Sequence, residues 1–315
     1  MDEKEAMQAK PGQDAKRAGE GRNLAMMAAV FALLMLAGTF CDETLARILY
    51  TPGNVPATLI TTLGIYPFTG AAVLFLGVAC ERVARADRST ISKLVSGGVI
   101  VAVALFAGFM GSRSLLDADC LGGIFPGLDK NYAAIGGVFL VCMCPLFYVG
   151  WRLATRNDDP GLQKQAVCFV LVLLGAFAFM QLSKGIFNRP RFRSVALGLE
   201  GVNFVPWYHI SPKPDALMAQ YGLAANEFRS FPSGHAILST CSIAVLLAFT
   251  KLVPSLRGKE TTLCWAGFGF AVVIMFTRML LGAHYLSDVS AGALIGLLFV
   301  WTSIVVRRKL DGAAA

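Results

Sequence analysis

The sequence contains few charged residues. Asp, Glu, Lys and Arg make up 15% of its 315 residues, whereas soluble domains carry roughly 25%. Hydrophobic residues reach 56%, and the mean hydropathy is +0.61. This composition excludes a disordered chain, a collagen, a coiled coil and a nucleic-acid-binding domain, and no internal repeat is visible. It predicts an integral membrane protein with several spans.

The eight cysteines lack the spacing of a disulfide or metal framework. Most lie inside apolar runs, where a cysteine behaves as a small hydrophobic residue. Cys142 and Cys144 are two residues apart, so they point in different directions on a helix and do not form a metal site. Cys41 and Cys120 are expected on the same side of the membrane. The sequence does not decide whether they form a disulfide, because it does not supply the distance and orientation of the two thiols.

Eight runs free of charged residues can cross, or nearly cross, about 30 Å of hydrocarbon as helices. The predicted spans are 24–41, 60–80, 94–111, 132–151, 166–183, 235–250, 262–277 and 288–306. They predict an all-α integral membrane protein with about eight transmembrane helices. The uncharged stretch 48–60, which contains Pro52 and Pro56, is interpreted as an interfacial or re-entrant lead-in. The first run lacks a small-x-small cleavage site, so an uncleaved span is expected there.

Basic residues are divided unevenly between the two sides of such a bundle. With eight spans both termini lie on one side, and that side receives 18 of the 28 Lys and Arg residues. The positive-inside rule therefore predicts that both termini are cytoplasmic. Seven of the other ten lie in segment 184–234 or at Arg278. The outer side thus carries a cluster of cations that the topology does not require.

Three segments distant in sequence meet at this outer face and contain side chains suited to phosphate. They are 184–193, 231–235 and 277–288. Lys184, Arg191 and Arg278 can surround a dianion, because arginine binds phosphate oxygens through two N–H groups at once. Ser233 and Gly234 precede a predicted helix, whose N-terminal N–H groups favour an anion. These residue types predict an anion site at the outer face.

Two of the three histidines lie in the same segments. His284 and Asp288 are four residues apart, which places them on one face at a helix start. A carboxylate on one ring nitrogen leaves the other nitrogen of His284 as a nucleophile. His235 lies on a different span and is free to protonate a leaving oxygen. Each side chain alone has an ordinary structural explanation, such as a helix cap or a span anchor. The presence of all of them at one membrane face favours an active site.

Other polar residues of the outer face are less informative. His209 has no partner pattern and is expected to be a loop residue. Arg189 and Arg193 are either accessory cations or solvent-facing charges. The choice of head group is expected to depend on segment 192–230, with Trp207, Tyr208 and Lys213. The Gly292-xxx-Gly296 pattern in the last span is expected to serve helix packing.

The three segments resemble the signature of the type 2 phosphatidic acid phosphatase (PAP2) superfamily. That signature reads Lys-x6-Arg-Pro, then Pro-Ser-Gly-His, then Ser-Arg-x5-His-x3-Asp. The matching residues are Lys184, Arg191, Pro232, Ser233, Gly234, His235, Arg278, His284 and Asp288. Phe192 stands where the family has Pro, and Thr277 stands where it has Ser. Neither departure removes a group with a catalytic role, but Phe192 leaves the path of the first loop open.

The resemblance implies a domain organisation. A six-span PAP2-like catalytic core would cover roughly residues 94–306. An N-terminal two-span hairpin with its cytoplasmic loop would precede it over 24–93. Polar cytoplasmic tails would cover 1–23 and 307–315.

The resemblance also implies a metal-independent membrane phosphatase without a cofactor. It would hydrolyse a lipid phosphate or lipid pyrophosphate at the outer face of a cell membrane through a phosphohistidine intermediate. His284 would attack phosphorus, Asp288 would orient it, and His235 would protonate the leaving group. The phosphate oxygens would be held by Lys184, Arg191, Ser233, Gly234 and Arg278. No acidic cluster suited to Mg²⁺ is apparent in the sequence, which agrees with this expectation.

Two other functions remain open from the sequence. A phosphotransferase would use the same phosphoenzyme and pass the phosphoryl group to another lipid or glycan. A non-catalytic anion transporter would also concentrate ionisable residues, although no predicted span carries a charge in its middle. Soluble vanadate-dependent haloperoxidases of the superfamily are disfavoured by the eight spans. The expected partners are the lipid substrate and membrane lipids, without nucleic acid, and the oligomeric state is undetermined.

The predicted topology can be tested by cysteine accessibility. A cysteine introduced in 195–225 should react with a membrane-impermeant thiol reagent added outside cells, because this segment is expected on the outer side. A cysteine introduced in 152–165 should react only after the cells are opened. The reverse pattern would contradict both the orientation and the extracytoplasmic site.

Overall fold

The computed structural model describes residues 10–313, and this region is helical without a strand. Eight of its helical segments are long and apolar enough to cross a membrane. They are named spans 1 to 8 in chain order: Gly19–Leu49, Val55–Arg85, Thr90–Leu115, Tyr132–Thr155, Leu162–Ser183, Gly234–Leu252, Glu260–Leu280 and Leu286–Asp311. The predicted all-α membrane fold with about eight spans is confirmed.

The helices are continuous in some spans and broken in others. Those that form the spans are Lys10–Leu49, Val55–Leu63, Tyr66–Arg85, Thr90–Leu115, Tyr132–Val138, Cys144–Thr155, Leu162–Ser183, Gly234–Thr240, Ser242–Leu252, Glu260–Leu280 and Leu286–Ala313. A π-helical turn, Phe139–Met143, joins the two halves of span 4. Short helices in the connections are Leu121–Ile124, Leu128–Lys130, Phe192–Val195, Asp215–Tyr221, Ala225–Phe228 and Pro254–Leu256.

The start of span 2 and the limits of the polar tails differ from the predicted boundaries. Residues 55–60, interpreted above as part of a lead-in, belong to span 2, because Asn54 caps a helix there by accepting a hydrogen bond from the N–H of Ala57 at 2.9 Å. Of the predicted tail 1–23, residues 1–9 lie outside the described region, and residue 10 already begins the helix of span 1. Residues 314–315 of the other tail also lie outside it.

Spans 2 and 8 organise the bundle. Span 2 packs against spans 3, 4 and 5, and span 8 packs against spans 1, 5 and 6. Aromatic rings fill the interior between them, as in the pair Phe75 and Phe169, whose ring centroids are 4.6 Å apart. Glu20 at the start of span 1 forms ion pairs with Arg307 and Arg308 at the end of span 8, each at 2.7 Å. The start of span 1 and the end of span 8 therefore lie at the same end of the bundle.

The connections that follow spans 1, 3, 5 and 7 meet at the opposite end of the bundle. The N–H of Thr51 donates to the carbonyl of Leu280 at 2.8 Å, and the N–H of Arg193 donates to that of Gly282 at 2.9 Å. Asp119, after span 3, forms an ion pair with Arg191, after span 5. These connections follow an odd number of spans, so they lie opposite the start of span 1 and the end of span 8, as the eight-span topology predicts.

Two glycines let span 8 approach span 6 closely. A Cβ atom on Gly292 would lie 2.5 Å from the carbonyl oxygen of Ser233, and one on Gly296 would lie 2.8 Å from that of Ile237. Both neighbours are backbone atoms, which cannot yield as a side chain does. The close contact also sets the first turn of span 8 beside span 6, where the N–H of Ser233 donates to the carbonyl of Asp288 at 3.0 Å.

Gly292→Ala should therefore destabilise the protein, because the added methyl group forces the two helices apart. Overpacking of this kind costs about 1–3 kcal/mol. Gly269→Ala is a matched control, since Gly269 lies in span 7 and a Cβ there meets nothing within 4 Å. Thermal unfolding in detergent should show a lower Tm for Gly292→Ala and an unchanged or higher Tm for Gly269→Ala. Equal Tm values would show that the helix contact tolerates a larger residue.

Candidate active site

The three polar segments predicted from the sequence converge in the structure. Backbone hydrogen bonds join them in pairs: Ser230 N–H to Arg189 carbonyl at 3.1 Å, Arg193 N–H to Gly282 carbonyl at 2.9 Å, and Ser233 N–H to Asp288 carbonyl at 3.0 Å. Phe192 anchors the first segment, because its buried ring packs at 5.4 Å from Tyr50 and at 6.3 Å from Tyr285. The residue that departs from the PAP2 pattern therefore fixes the loop by aromatic packing.

His284 is held by a backbone carbonyl. Its Nδ1 lies 2.6 Å from the carbonyl oxygen of Ser230, and because a carbonyl only accepts, Nδ1 carries the proton and donates it. Nε2 is then left with a free lone pair. Burial lowers the pKa of His284 to about 4, and the neighbouring Asp288 carboxylate offsets this only in part. The imidazole is therefore neutral, and able to act as a nucleophile, at physiological pH.

Asp288 contacts His284 less directly than expected. Its Oδ2 lies 3.8 Å from Nδ1 of His284, too far for a hydrogen bond. The same oxygen accepts from the hydroxyl of Ser230 at 2.5 Å and from the N–H of Tyr285 at 2.8 Å. Ser230 thus stands between the two residues, with its hydroxyl on Asp288 and its carbonyl on His284. Sequence analysis could not identify Ser230, because a backbone carbonyl has no side-chain signature.

His235 occupies the first turn of span 6. Ser233 caps this helix, and its hydroxyl oxygen accepts from the N–H of Ala236 at 3.4 Å. The Phe231–Pro232 peptide bond before the cap is cis. Nε2 of His235 lies 3.8 Å from the sulfur of Cys120, so a residue from the connection after span 3 covers the ring. Cys120 and Cys41 are both free thiols.

The predicted phosphate-binding cations lie together beside the histidines. Arg191 and Arg278 are buried, and both contribute to the electrostatic environment of His284. The Nε–H groups of both arginines are buried without a hydrogen-bond partner among the described residues. Lys184 is half-buried, and its Cε atom lies 3.0 Å from the position of a Cβ on Gly234. Glycine thus lets the ammonium group reach the helix start.

Burial weakens the hold of Lys184 on its proton. It lowers the pKa of this ammonium group to about 8, and the charge of Arg191 lowers it further, with partial compensation by Asp119. The group is protonated at neutral pH but close to losing its proton. An anion bound beside it would favour the charged form.

Asp119 is a site residue that the sequence analysis missed. Its carboxylate receives hydrogen bonds from Arg191 at 2.6 and 2.8 Å and from Arg278 at 2.8 Å, and it pairs with Arg193 at 2.8 Å. Burial alone would raise the pKa of Asp119, but Arg191, Arg278 and Arg193 hold it well below the usual range. The residue lies in a connection without a motif, so only the tertiary structure brings it to the arginines.

Arg189 has a structural role that the sequence left open. Its guanidinium group is buried, donates to Asp288 and Ser287, and forms an ion pair with Asp42 at 2.9 Å. The face of Tyr285 lies 4.1 Å from its central carbon. Asp42 belongs to span 1 and also accepts from the N–H of Ser287 at 2.9 Å. The first span therefore contributes a carboxylate to the support of Asp288.

The remaining sequence expectations concern residues at the edge of the site. Thr277, which replaces the family's Ser, shares a 2.8 Å hydrogen bond with Thr61 of span 2, so its hydroxyl joins helices. Arg193 is partly exposed and pairs with Glu227 as well as Asp119. His209 lies exposed in the long connection after span 5. Among the described residues no group of three or more His, Cys, Asp or Glu is arranged to hold a metal.

Two comparisons with known proteins match parts of this chain. The model of the PAP2 superfamily matches residues 165–311, which contain most of span 5, all of spans 6 to 8 and all three motifs. A lipid A 1-phosphatase of Rhizobium johnstonii is 42% identical over 84 residues, which is 26% of this chain and 30% of that protein. No solved structure matches the chain at a comparable level. The match begins at residue 165, so the predicted core boundary at residue 94 stays a prediction. Residues 165–311 of this chain are thus similar to the PAP2 superfamily.

Proposed function

We propose that this protein is a metal-independent lipid phosphatase that works through a phosphohistidine on His284. The observation that carries this proposal is the 2.6 Å hydrogen bond from Nδ1 of His284 to the Ser230 carbonyl. It aims an unprotonated Nε2 away from the backbone, within a site that contains Arg191 and Arg278. A neutral, oriented imidazole beside buried guanidinium groups is suited to attack on a phosphate ester.

In the first step Nε2 of His284 attacks phosphorus and the bond from phosphorus to the leaving oxygen breaks. The leaving oxygen takes a proton from His235, so the lipid departs as an alcohol or, from a pyrophosphate, as a lipid phosphate. The incoming dianion brings negative charge beside His235 and stabilises the imidazolium form that donates this proton. Asp288 and Arg189 keep Ser230, and through it His284, in position.

In the second step water attacks the phosphohistidine. His235, now neutral, takes a proton from the water as the new bond to phosphorus forms. The bond between phosphorus and Nε2 breaks, inorganic phosphate is released and His284 returns to its neutral form. Arg191, Arg278 and Lys184 neutralise the equatorial oxygens in both steps, and preorganised donors of this kind contribute several kcal/mol.

The substrate class and the side of the membrane follow from different arguments. The site lies at the end of the bundle opposite the termini, and the distribution of Lys and Arg favours cytoplasmic termini. Together they support an extracytoplasmic site. The relative from Rhizobium johnstonii is named for a phosphate on lipid A, and the chain spans only about 30% of that protein's length. A terminal phosphate on a membrane lipid is accordingly the substrate class proposed.

The direct test is phosphate release from a panel of lipids by purified protein. The panel contains lipid A, phosphatidate, phosphatidylglycerol phosphate and undecaprenyl diphosphate, each assayed with EDTA present. Release from at least one of them supports the proposal. Transfer of label to a second lipid would instead indicate a phosphotransferase. Absence of both, or activity lost in EDTA and restored by Mg²⁺, would reject the mechanism.

The two histidines should fail in different ways. His284→Ala removes the nucleophile and should abolish turnover of both a lipid phosphate and a soluble aryl phosphate. His235→Ala removes the acid, which contributes roughly 10²–10⁴-fold only where the leaving oxygen needs a proton. It should therefore retain measurable turnover of the aryl phosphate. Rapid quench with labelled substrate should find acid-labile phosphoprotein in the wild type and none in His284→Ala. Phosphoprotein in His284→Ala but not in His235→Ala would reverse the assignment.

The pH dependence should report Lys184. Its pKa is about 8 in the free protein, and the protonated form binds phosphate, so kcat/KM should fall as pH rises through about 8. Above neutral pH the aryl phosphate remains a dianion, so its own ionisation does not contribute to the pH dependence of kcat/KM. Lys184→Arg should keep its charge in this range and move the fall to higher pH. An identical alkaline limb in both proteins would assign it to another group.

Arg189 should matter for stability as well as for activity. Arg189→Met leaves Asp42 and Asp288 buried without their cation, which should cost about 3–5 kcal/mol of unfolding free energy. Arg47→Met is the control, because Arg47 pairs with Glu43 at the surface, where an ion pair contributes at most about 1 kcal/mol. Denaturant unfolding in micelles measures both values. Similar small losses would show that Arg189 does not balance the two carboxylates.

A further inference from the structure

The connection between spans 3 and 4 reaches into the candidate active site with two residues. Asp119 and Cys120 lie in a tight turn, where the N–H of Asp119 donates to a carboxylate oxygen of Asp117 at 3.0 Å and the N–H of Cys120 donates to its carbonyl at 2.8 Å. Gly122 permits this turn, because a Cβ there would lie 2.4 Å from the carbonyl oxygen of Leu116. Both tip residues are buried.

Asp119 occupies the guanidinium edges that a phosphate would use. Its two oxygens accept from terminal nitrogens of Arg191 and Arg278 at 2.6–2.8 Å. Carboxylate and phosphate bind arginine through the same paired geometry. A dianion placed on these nitrogens would meet the negative charge of Asp119 at close range, which is unfavourable. The carboxylate and the substrate phosphate therefore compete for one position.

Cys120 lies against His235, the proposed acid. Its sulfur lies 3.8 Å from Nε2 of His235. Meanwhile the Nε–H groups of Arg191 and Arg278 stay buried without a partner among residues 10–313. Asp119 thus satisfies the two arginines only in part, which leaves them able to gain hydrogen bonds from a ligand with more oxygens.

We propose that Asp119 is a counter-ion that substrate displaces, and that it makes the site selective for doubly charged terminal phosphates over singly charged phosphodiesters. The proposal rests on the proposed function, since it assigns Arg191 and Arg278 to phosphate. When the site is empty, Asp119 neutralises the arginines and Cys120 covers His235. A dianion replaces the carboxylate, and the turn withdraws from both residues.

The selectivity follows from charge. Phosphodiester head groups carry one negative charge, as Asp119 does, so exchange of one for the other gains little electrostatic energy. A terminal phosphate carries nearly two charges at neutral pH and more free oxygens. A ligand binds only those molecules in which Asp119 is withdrawn. Its apparent affinity is therefore its intrinsic affinity multiplied by the fraction of such molecules. The most abundant membrane phospholipids are phosphodiesters, and an uncovered cluster of arginines would bind them.

The test compares inorganic phosphate with dimethyl phosphate, a singly charged diester, by titration calorimetry on the purified full chain in micelles. Asp119→Asn keeps the shape and removes the charge. It should bind inorganic phosphate about tenfold more tightly than the wild type, and its preference for phosphate over dimethyl phosphate should narrow. Asp129→Asn is the matched control, because Asp129 lies on the same connection and makes no ion pair among the described residues. It should bind both ions as the wild type does.

Unchanged or weaker phosphate binding by Asp119→Asn would overturn the proposal, because Asp119 would then organise the arginines and not compete for them. If that variant does not fold, the wild type provides a second measurement. Inorganic phosphate should accelerate alkylation of Cys120 by N-ethylmaleimide several-fold, with Cys41 as internal reference, as followed by peptide mass spectrometry. Protection of Cys120, or an unchanged rate, would contradict displacement of the turn.

These outcomes are separable from those of the proposed function, because neither binding nor alkylation requires turnover. If the wild type releases phosphate and Asp119→Asn binds both ions with the affinity of the wild type, only the counter-ion proposal is rejected. Tighter binding in Asp119→Asn, with no release from any lipid, would reject the phosphatase and retain the displaceable carboxylate.

Discussion

The structure depends on balancing the charge of three arginines that lie out of contact with solvent. Arg189, Arg191 and Arg278 are each at most 1% exposed, and burying a guanidinium ion is costly unless a carboxylate pairs with it. Arg189 lies between two carboxylates, whereas Arg191 and Arg278 share one, Asp119. The first arrangement is closed and supports the fold. The second leaves the Nε–H groups of both arginines without a partner among residues 10–313 and is suited to exchange its carboxylate for a ligand.

This balance gives the N-terminal half of the chain a role in the site. The family match begins at residue 165, yet Asp42 and Asp119 both lie before it and reach the arginines of the matched region. Span 1 is therefore more than an added membrane anchor, because its carboxylate holds Arg189 and the start of span 8. The connection after span 3 supplies the carboxylate that pairs with Arg191 and Arg278, the proposed phosphate-binding groups.

The sequence predicted the spans and the polar segments because both are local patterns. Long apolar runs report helices that cross a membrane, and the parity of the spans places segments 184–193 and 277–288 at one end. The pairing of Asp119 with Arg278 could not be predicted, since it joins residues 159 positions apart without a motif. The role of the Ser230 carbonyl could not be predicted for another reason. Every residue has a carbonyl, and only the folded backbone shows which one faces His284.

A structure of the protein with vanadate bound is the decisive test of the proposed mechanism, because vanadate adopts the five-coordinate geometry of phosphorus during transfer. We expect vanadium bonded to Nε2 of His284, oxygens on Arg191 and Arg278, and Asp119 withdrawn from both arginines. Vanadate bound elsewhere, with His284 free and Asp119 still paired to the arginines, would contradict the proposed mechanism.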